Sequence, residues 1–252
     1  MYLEERRKKI VEFITQQEVC SVEELATLLS VSPVTIRKDL DYLEKSGLIV
    51  RTFGGAILAE PSAEDLPFDM KSTVKKTQKS LICQHASEHI QDYSRILIDA
   101  GSTVTELCPF IRQKKSLTVI TFNLEVAMMI SYYKNLECIF IGGTVSRNSK
   151  SCTGSGVVNQ LRSLHVDTAF IGCDGFDLES GAYTTSLERS YIKQESIRIS
   201  DQAILLSTSE KYLQKKLVCF SSLRAFRPCI FDKENAALNQ ALKESDIDYI
   251  TV

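Results

Sequence analysis

Only two residues, Ser30 and Val31, separate two helical patterns near the start of the chain. Upstream, Ser21-Val22-Glu23-Glu24 has the form of a capping box, in which serine and glutamate satisfy each other's backbone donors. The helix it opens places Leu25, Leu28 and Leu29 on one face. Downstream, Ser32 can cap the next helix, and Pro33 suits the first helical position, where no N–H is needed. Ile36, Leu40 and Leu43 then fall at i, i+4 and i+7 as one apolar stripe. So short a connection between two amphipathic helices is that of a helix-turn-helix.

A preceding helix is expected around Ile10, Val11, Phe13 and Ile14. After Gly47, suited to a helix C-cap, Leu48–Thr52 and Ala56–Leu58 read as strands joined by a Gly54-Gly55 turn. Three helices and a hairpin make a winged helix-turn-helix. In that geometry the helix from Ser32 enters the major groove of duplex DNA, and Ser32, Thr35, Arg37 and Lys38 reach bases and flanking phosphates. Ser21 joins them as a candidate DNA contact, and Arg51 on the hairpin meets phosphate or the minor groove. Bulk charge gives no help: residues 1–58 hold eight Lys/Arg against nine Asp/Glu. The case rests on local placement.

The whole chain of 252 residues has a net charge of −2, with 44% hydrophobic and 25% charged residues, an ordinary globular balance. No apolar run reaches the ~18 residues that span a bilayer, and MYLEERRKKIVEF has no apolar signal-peptide core. A cytoplasmic location is expected. The eight cysteines lack CxxC spacing and read as small buried hydrophobes, not as a disulfide framework or a zinc site. His85 and His89 lie four apart on an expected helix without a second ligand pair, so no metal and no cofactor is expected.

Residues 59–72 (AEPSAEDLPFDMKS) read as a linker. From Thr73 to Ile90 the pattern is helical. Beyond it the strand-like runs RILIDA, LTVIT, LECIFIG, DTAFIGC, QAILLS and PCIFD alternate with helical segments. That alternation predicts an open parallel α/β sheet covered on both faces, over residues 73–252. Ligands bind such sheets beyond the carboxyl ends of the strands. There the sequence places Asp99, Gly101, Ser102 and Thr103, then Thr121 and Asn123, then Gly142 and Gly143, then Asp174 and Gly175. Gly101-Ser102-Thr103 at a helix start can cradle an anion with backbone N–H groups and hydroxyls. Lys193 and Lys211 could neutralise it.

SVEELATLLSVSPVTIRKDLDYLEKSGLIVRTFGGAIL resembles the N-terminal domain of the DeoR family of bacterial sugar-metabolism regulators. Thr35-Ile36-Arg37-Lys38-Asp39-Leu40 and Gly54-Gly55 match that family's T-[IV]-R-[RK]-D-L helix and Gly-Gly wing. The resemblance continues in Asp99 to Thr103, Gly142-Gly143, Asp174-Gly175, the Thr184-Thr185 pair and Lys193 eight residues on. It implies a sensor similar to ribose-phosphate isomerase, a phosphorylated sugar or polyol as effector, Thr185 among its contacts, and operator DNA as partner of a homodimer or homotetramer. The family's Thr-Asn-Ser is here Thr121-Phe122-Asn123, its Asp-Ser-Ser-Lys is Thr208-Ser209-Glu210-Lys211, and its Glu-Lys pair is Gln78-Lys79. These departures bear on which ligand is bound. A competing expectation is a sugar-phosphate isomerase with a fused winged helix, using Asp99, Asp174, Asp177 or Glu188 as acid/base groups and Lys193 for an enediolate. No paired carboxylate spacing supports it, and Glu188 with Glu195 reads as a solvated helix face.

Overall fold

The computed structural model describes residues 3–17, 19–45, 49–58 and 68–252. The chain divides into two compact units, Met1–Val74 and Lys75–Val252. In the first, α1 (Leu3–Gln17), β1 (Val19–Ser21), α2 (Val22–Leu29) and α3 (Pro33–Lys45) precede a hairpin of β2 (Ile49–Thr52) and β3 (Gly55–Leu58). Ser21 and Glu24 form both halves of the capping box, and the backbone and hydroxyl of Ser21 hold the Glu24 carboxyl below its usual range. Val22, Leu25 and Ala26 are buried on α2 with Leu29 packed beside them, whereas Leu28 is exposed. Leu28 lies about 100° around the helix from Leu29, outside the i, i+3, i+4, i+7 set. Ile36, Leu40 and Leu43 of α3 complete this core with Ile10, Val11 and Ile14 of α1.

The turn of the wing is Phe53-Gly54, one residue earlier than the sequence suggests. Gly54 has φ +84°, which a type II turn requires at its second central position. Gly55 already pairs with Thr52 in the hairpin. A Cβ there would lie 1.9 Å from the Cys20 carbonyl oxygen, because β1 pairs with β3 at that point. The sheet order is β1-β3-β2, and β1 has no counterpart in the sequence reading. Gly47, Leu48 and residues 59–67 of the expected linker lie outside the described residues. The linker's last part is not extended: Phe68–Lys71 forms a short helix, α4, with Phe68 buried.

Asp39 fastens α3 to α1. Its carboxylate is 1% exposed and accepts hydrogen bonds from Arg6 Nε at 2.6 Å and Arg7 Nε at 3.0 Å. The Arg7 guanidinium also lies 3.6 Å above the Tyr42 ring. Two arginines compensate one buried carboxylate, and removing it strands both charges.

The second unit runs α5 (Lys76–Ala86), β4 (Arg95–Ile98), α6 (Ser102–Thr105), α7 (Cys108–Ile111), β5 (Leu117–Thr121), α8 (Leu124–Ser131) and β6 (Leu136–Phe140). A hairpin, β7 (Thr144–Ser146) and β8 (Ser151–Thr153), leads to α9 (Ser155–Arg162) and β9 (Val166–Gly172). Then come β10 (Gly175–Asp177), β11 (Gly181–Thr184), α10 (Leu187–Arg198), β12 (Ser200–Ser207), β13 (Val218–Ser221), β14 (Cys229–Phe231), α11 (Ala236–Lys243) and β15 (Tyr249–Thr251). Seven strands form one sheet in the order β15-β14-β12-β9-β4-β5-β6, every neighbouring pair parallel. The expected open α/β sheet is therefore present. Alternate residues supply two cores: Leu97, Ala169, Ile171 and Leu205 pack on one face, Ile96, Ile98, Phe170 and Ile204 on the other. A second sheet, β10-β11-β13, and the β7-β8 hairpin are additions that the apolar runs do not signal. The helix expected to reach Ile90 ends at Ala86, and His89 lies on a separate 3-10 turn. Burial pushes the Cys108 thiol up to about 12, in keeping with a small apolar residue, while Cys219 is exposed.

Asp39→Ala should lower the stability of the first unit by about 3 kcal/mol, the low end for breaking a buried pair, since both arginines keep a path to water. Urea unfolding followed by helical circular dichroism measures it. A change within about 0.5 kcal/mol, the ordinary value for a surface site, would show that the arginines find other partners.

Candidate functional site

Every inward residue of α3 fixes what faces outward. With Ile36, Asp39, Leu40 and Leu43 buried, the outer stripe at i, i+3, i+4 and i+7 is Val34, Arg37, Lys38 and Asp41, all exposed. Ser32 and Thr35 share a hydroxyl hydrogen bond of 2.9 Å, and Ser32 Oγ accepts the Thr35 N–H at 3.2 Å. They cap the helix and remain at its outer end. Ser21 is occupied by its capping box, with its hydroxyl donating to Glu24 at 2.8 Å. Arg51 is also engaged: Nη1 meets Asp41 at 2.6 Å and Nε donates to the Gly55 carbonyl at 3.3 Å. It braces the wing against α3.

In the second unit, β4 is the strand at which the chain order reverses. β5 and β6 follow on one side and β9, β12, β14 and β15 on the other, so the crevice for a ligand opens between β4 and β9. Asp99, at the end of β4, is 1% exposed and accepts the Gly172 N–H at 3.0 Å from across that gap. Lys193 of α10 donates to the same Asp99 oxygen and, at 2.8 Å, to the Gly172 carbonyl, and its ammonium lies 5.4 Å from the Phe220 ring centroid. The lysine expected to neutralise an anion is thus already paired with the neighbouring aspartate.

A different lysine lies beside the candidate cradle. Lys79 of α5 is 3% exposed and donates to Ser102 Oγ at 3.0 Å. Ser102 and Thr103 are buried at the start of α6. That helix has one turn, so its dipole adds little, and Lys79 is the stronger electrostatic element. Thr103 Oγ1 and Asn123 Nδ2 are buried with no hydrogen-bond partner among the described residues. The other end of the Asn123 side chain caps α8, accepting from Glu125 and Val126 N–H groups at 2.8 and 3.3 Å. Thr121 donates to the Ile98 carbonyl at 2.8 Å and accepts the Asn123 N–H at 3.1 Å, which ties the ends of β4 and β5 together.

Farther along the rim, Asp174 accepts from Thr184 Oγ1 at 2.9 Å and pairs with Arg189 at 3.3 Å. Arg189 also donates to Thr185 Oγ1 at 3.0 Å. Lys211 reaches the Cys173 carbonyl at 2.8 Å. Two of the expected glycines serve packing: a Cβ on Gly143 would lie 2.7 Å from the Thr153 carbonyl oxygen, and one on Gly175 1.8 Å from that of Gln214. Gly142 has open space around it, and its carbonyl accepts from Gln160 at 2.9 Å. Lys79 and Arg189 were absent from the expected set. Arg189 could have been found four residues before Lys193 on one helix face, but the burial of Lys79 depends on a partner 23 residues away.

Asp99, Phe122, Cys152, Arg189 and Lys193 surround a cavity of about 10 Å³, room for about one water. Phe122, 3% exposed, is the residue standing where the family pattern has asparagine. A larger cleft of about 800 Å³ is lined by residues of α9 and α10. Of the carboxylates considered for catalysis, Glu188 is exposed and the three aspartates are engaged by neighbouring side chains. Asp99 and Asp174 are paired as above, and Asp177 accepts from Tyr183 at 2.9 Å. Glu195 is not on a solvated face: it is 7% exposed and paired with Arg162 and Arg198.

Residues 6–62 match a DeoR-like helix-turn-helix domain and residues 74–233 a DeoR C-terminal sensor domain. The putative aga operon transcriptional repressor of Escherichia coli O157:H7 is 31% identical over 220 residues, covering 84% of this chain and 80% of the relative. The transcriptional repressor GlcR of Bacillus subtilis is 30% identical, covering 99% and 96%. A ribose 5-phosphate isomerase A from Neisseria gonorrhoeae aligns with 12% identity over 54% of this chain and 53% of its own, at a TM-score of 0.40, too distant to bear on ligand or reaction. The sequence relatives named above are transcriptional repressors, and the chain belongs to the DeoR family of transcriptional regulators.

Proposed function

We propose that this regulator represses a carbohydrate uptake or catabolism operon, binding operator DNA through α3 and leaving it when a phosphorylated sugar or polyol occupies the β4–β9 end of the sensor sheet. For the DNA half, support comes from the outward stripe Arg37–Lys38, fixed by the burial of Ile36, Asp39 and Leu40 on the opposite side. A helix with side chains is about 10–12 Å across, the width of the major groove. Arg37 would read a base edge, while Lys38 and the Ser32–Thr35 pair would meet phosphate. Two or four subunits would present paired helices to half-sites about one helical turn apart. The described residues contain no helix long and apolar enough to cross a membrane, which suits a regulator working on DNA in the cytoplasm.

The observation that carries the effector half is the pair of unsatisfied buried donors, Thr103 Oγ1 and Asn123 Nδ2, at the starts of the helices that follow the adjacent strands β4 and β5. An unpartnered buried polar group costs about 1–3 kcal/mol, and a ligand rich in oxygens would satisfy both. Lys79 beside Ser102 supplies the positive charge that a phosphate needs. Ser102, Thr103, Asn123 and Lys79 are the core of the proposed site. Asp99 and Lys193 form its closed floor, and Arg189, Asp174, Thr185 and Lys211 its rim. Gly101, Thr121, Gly142, Gly143 and Gly175 shape the loops. No cofactor is invoked.

Arg37→Ala should weaken binding to the selected operator by about 1–3 kcal/mol and relax sequence preference at one position. Anisotropy titration against matched and single-substituted duplexes reads both, and an unchanged preference removes Arg37 from base readout. Thr103→Val, isosteric but without the orphan hydroxyl, should stabilise the ligand-free protein by about 1 kcal/mol and weaken release of DNA by sugar phosphates. Lys79→Gln should leave operator affinity unchanged and raise the effector concentration for half-release by about tenfold or more, the loss of a charge-assisted hydrogen bond. Release at the wild-type concentration by both variants would place the phosphate elsewhere.

A further inference from the structure

The tip of the wing carries an aromatic residue with nothing around it. Phe53 is fully exposed, at 110% of its reference area, and sits in a two-residue turn between Thr52 and Gly55. Fully burying a phenylalanine side chain is worth about 1.5–3 kcal/mol, which this position forgoes within its own unit. The hairpin that presents the ring is held at its base. Arg51 contacts Asp41 at 2.6 Å and the Gly55 carbonyl at 3.3 Å, and its own N–H donates to Glu44 at 3.2 Å.

Asp41 is the last member of the outward stripe that contains Val34, Arg37 and Lys38. The wing is therefore clamped alongside the face that would lie in the major groove. Since α3 fills a groove about 12 Å wide, a hairpin against its flank has to cross the bordering phosphate backbone. The tip, two residues beyond Arg51 at about 3.3 Å each, then stands over the adjacent minor groove. A phenyl ring has no donor for phosphate and no charge. Its favourable contacts there are deoxyribose and the faces or edges of bases.

We infer that Phe53 is an apolar wedge that enters the minor groove beside the base-reading helix, partly unstacking a base step and bending the duplex. The inference rests on the DNA-binding reading above. Such insertion is easiest at flexible pyrimidine–purine steps, so it would add sequence preference at a flank that no hydrogen bond reads.

The test uses the full-length protein and a duplex recovered by selection from a random pool. Wild type, Phe53→Ala, Phe53→Leu and Arg37→Ala are compared by anisotropy, by end-to-end energy transfer for bending, and by repeating the selection. Phe53→Ala should lose about tenfold in affinity, within the range found on removing an aromatic stacked on a base. The slope of affinity against salt should not change, because no phosphate contact is removed. The bend should shrink, the flanking TA or CA/TG preference should disappear, and Phe53→Leu should retain most of both. Thermal unfolding of Phe53→Ala should match wild type, the ring being fully exposed. If Phe53→Ala keeps affinity within twofold, with the same bend and the same flanks, while Arg37→Ala shows its loss of affinity and of preference at one position, the wedge is wrong and the DNA reading stands. If wild type recovers no preferred duplex, the DNA reading fails and takes the wedge with it.

Discussion

A buried ammonium requires an anion within reach, and in the sensor unit Lys193 has Asp99. The pair closes the gap between β4 and β9, where the direction of chain order reverses. Desolvating both charges costs several kcal/mol, and their attraction repays that only if the remaining hydrogen-bond capacity is also used. Here it is, since Gly172 donates its N–H to Asp99 and offers its carbonyl to Lys193. The pair contributes position more than net stability. It fixes α10 over the strand ends and thereby sets Arg189, one turn earlier, beside Asp174.

The first unit uses the same device with the signs exchanged. Asp39 is buried and two arginines from α1 reach it. In the run Arg37-Lys38-Asp39-Leu40 the two cations point outward because their two neighbours are committed inward, one by charge pairing and one by apolar contact. A recognition surface needs rigid backing so that its contacts are not spent on ordering the helix. The Arg51–Asp41 contact extends this backing to the wing, so helix and hairpin tip belong to one preformed surface.

Periodicity made the burial of Ile36, Leu40 and Leu43 legible, and alternation of apolar runs with helices made the parallel sheet legible, because both patterns are local. What escaped was set by partners distant in sequence. Glu195 reads as a surface residue until Arg162 and Arg198 are brought to it, and nothing local signals the burial of Lys79 against Ser102. Lys193 reads as a free cation at the strand ends, and its pairing with Asp99 has no local signal, since spacing marks a cation without saying which carboxylate will meet it. Leu28 went the other way, counted into an apolar face by proximity to Leu29 although its angle on the helix leaves it exposed. The strand β1 has only three residues and the hairpin β7-β8 short strands of the same length, too brief for any period to register.

The orphan donors Thr103 Oγ1 and Asn123 Nδ2 say where, on the proposed reading, a coupling free energy would arise. An effector can shift an equilibrium only by its differential affinity for the two states. A hundredfold change in operator affinity therefore needs about 2.8 kcal/mol of difference. Two buried donors left unsatisfied in the ligand-free state hold about 1–3 kcal/mol each, which is enough. But a space of about 10 Å³ cannot admit the sugar phosphate proposed above, so its binding would have to move something, and the groups with room to move are the partly exposed ones at the rim. Arg189 has two partners in Asp174 and Thr185 and is partly exposed, whereas Lys193 is sealed in. On the proposed reading, opening would start at Arg189, and Phe122 in the cavity lining would limit how large a ligand can enter. Because Arg189 and Lys193 ride on one helix, Arg189 would have to leave Asp174 by turning its own side chain if the buried Lys193–Asp99 pair is to stay intact.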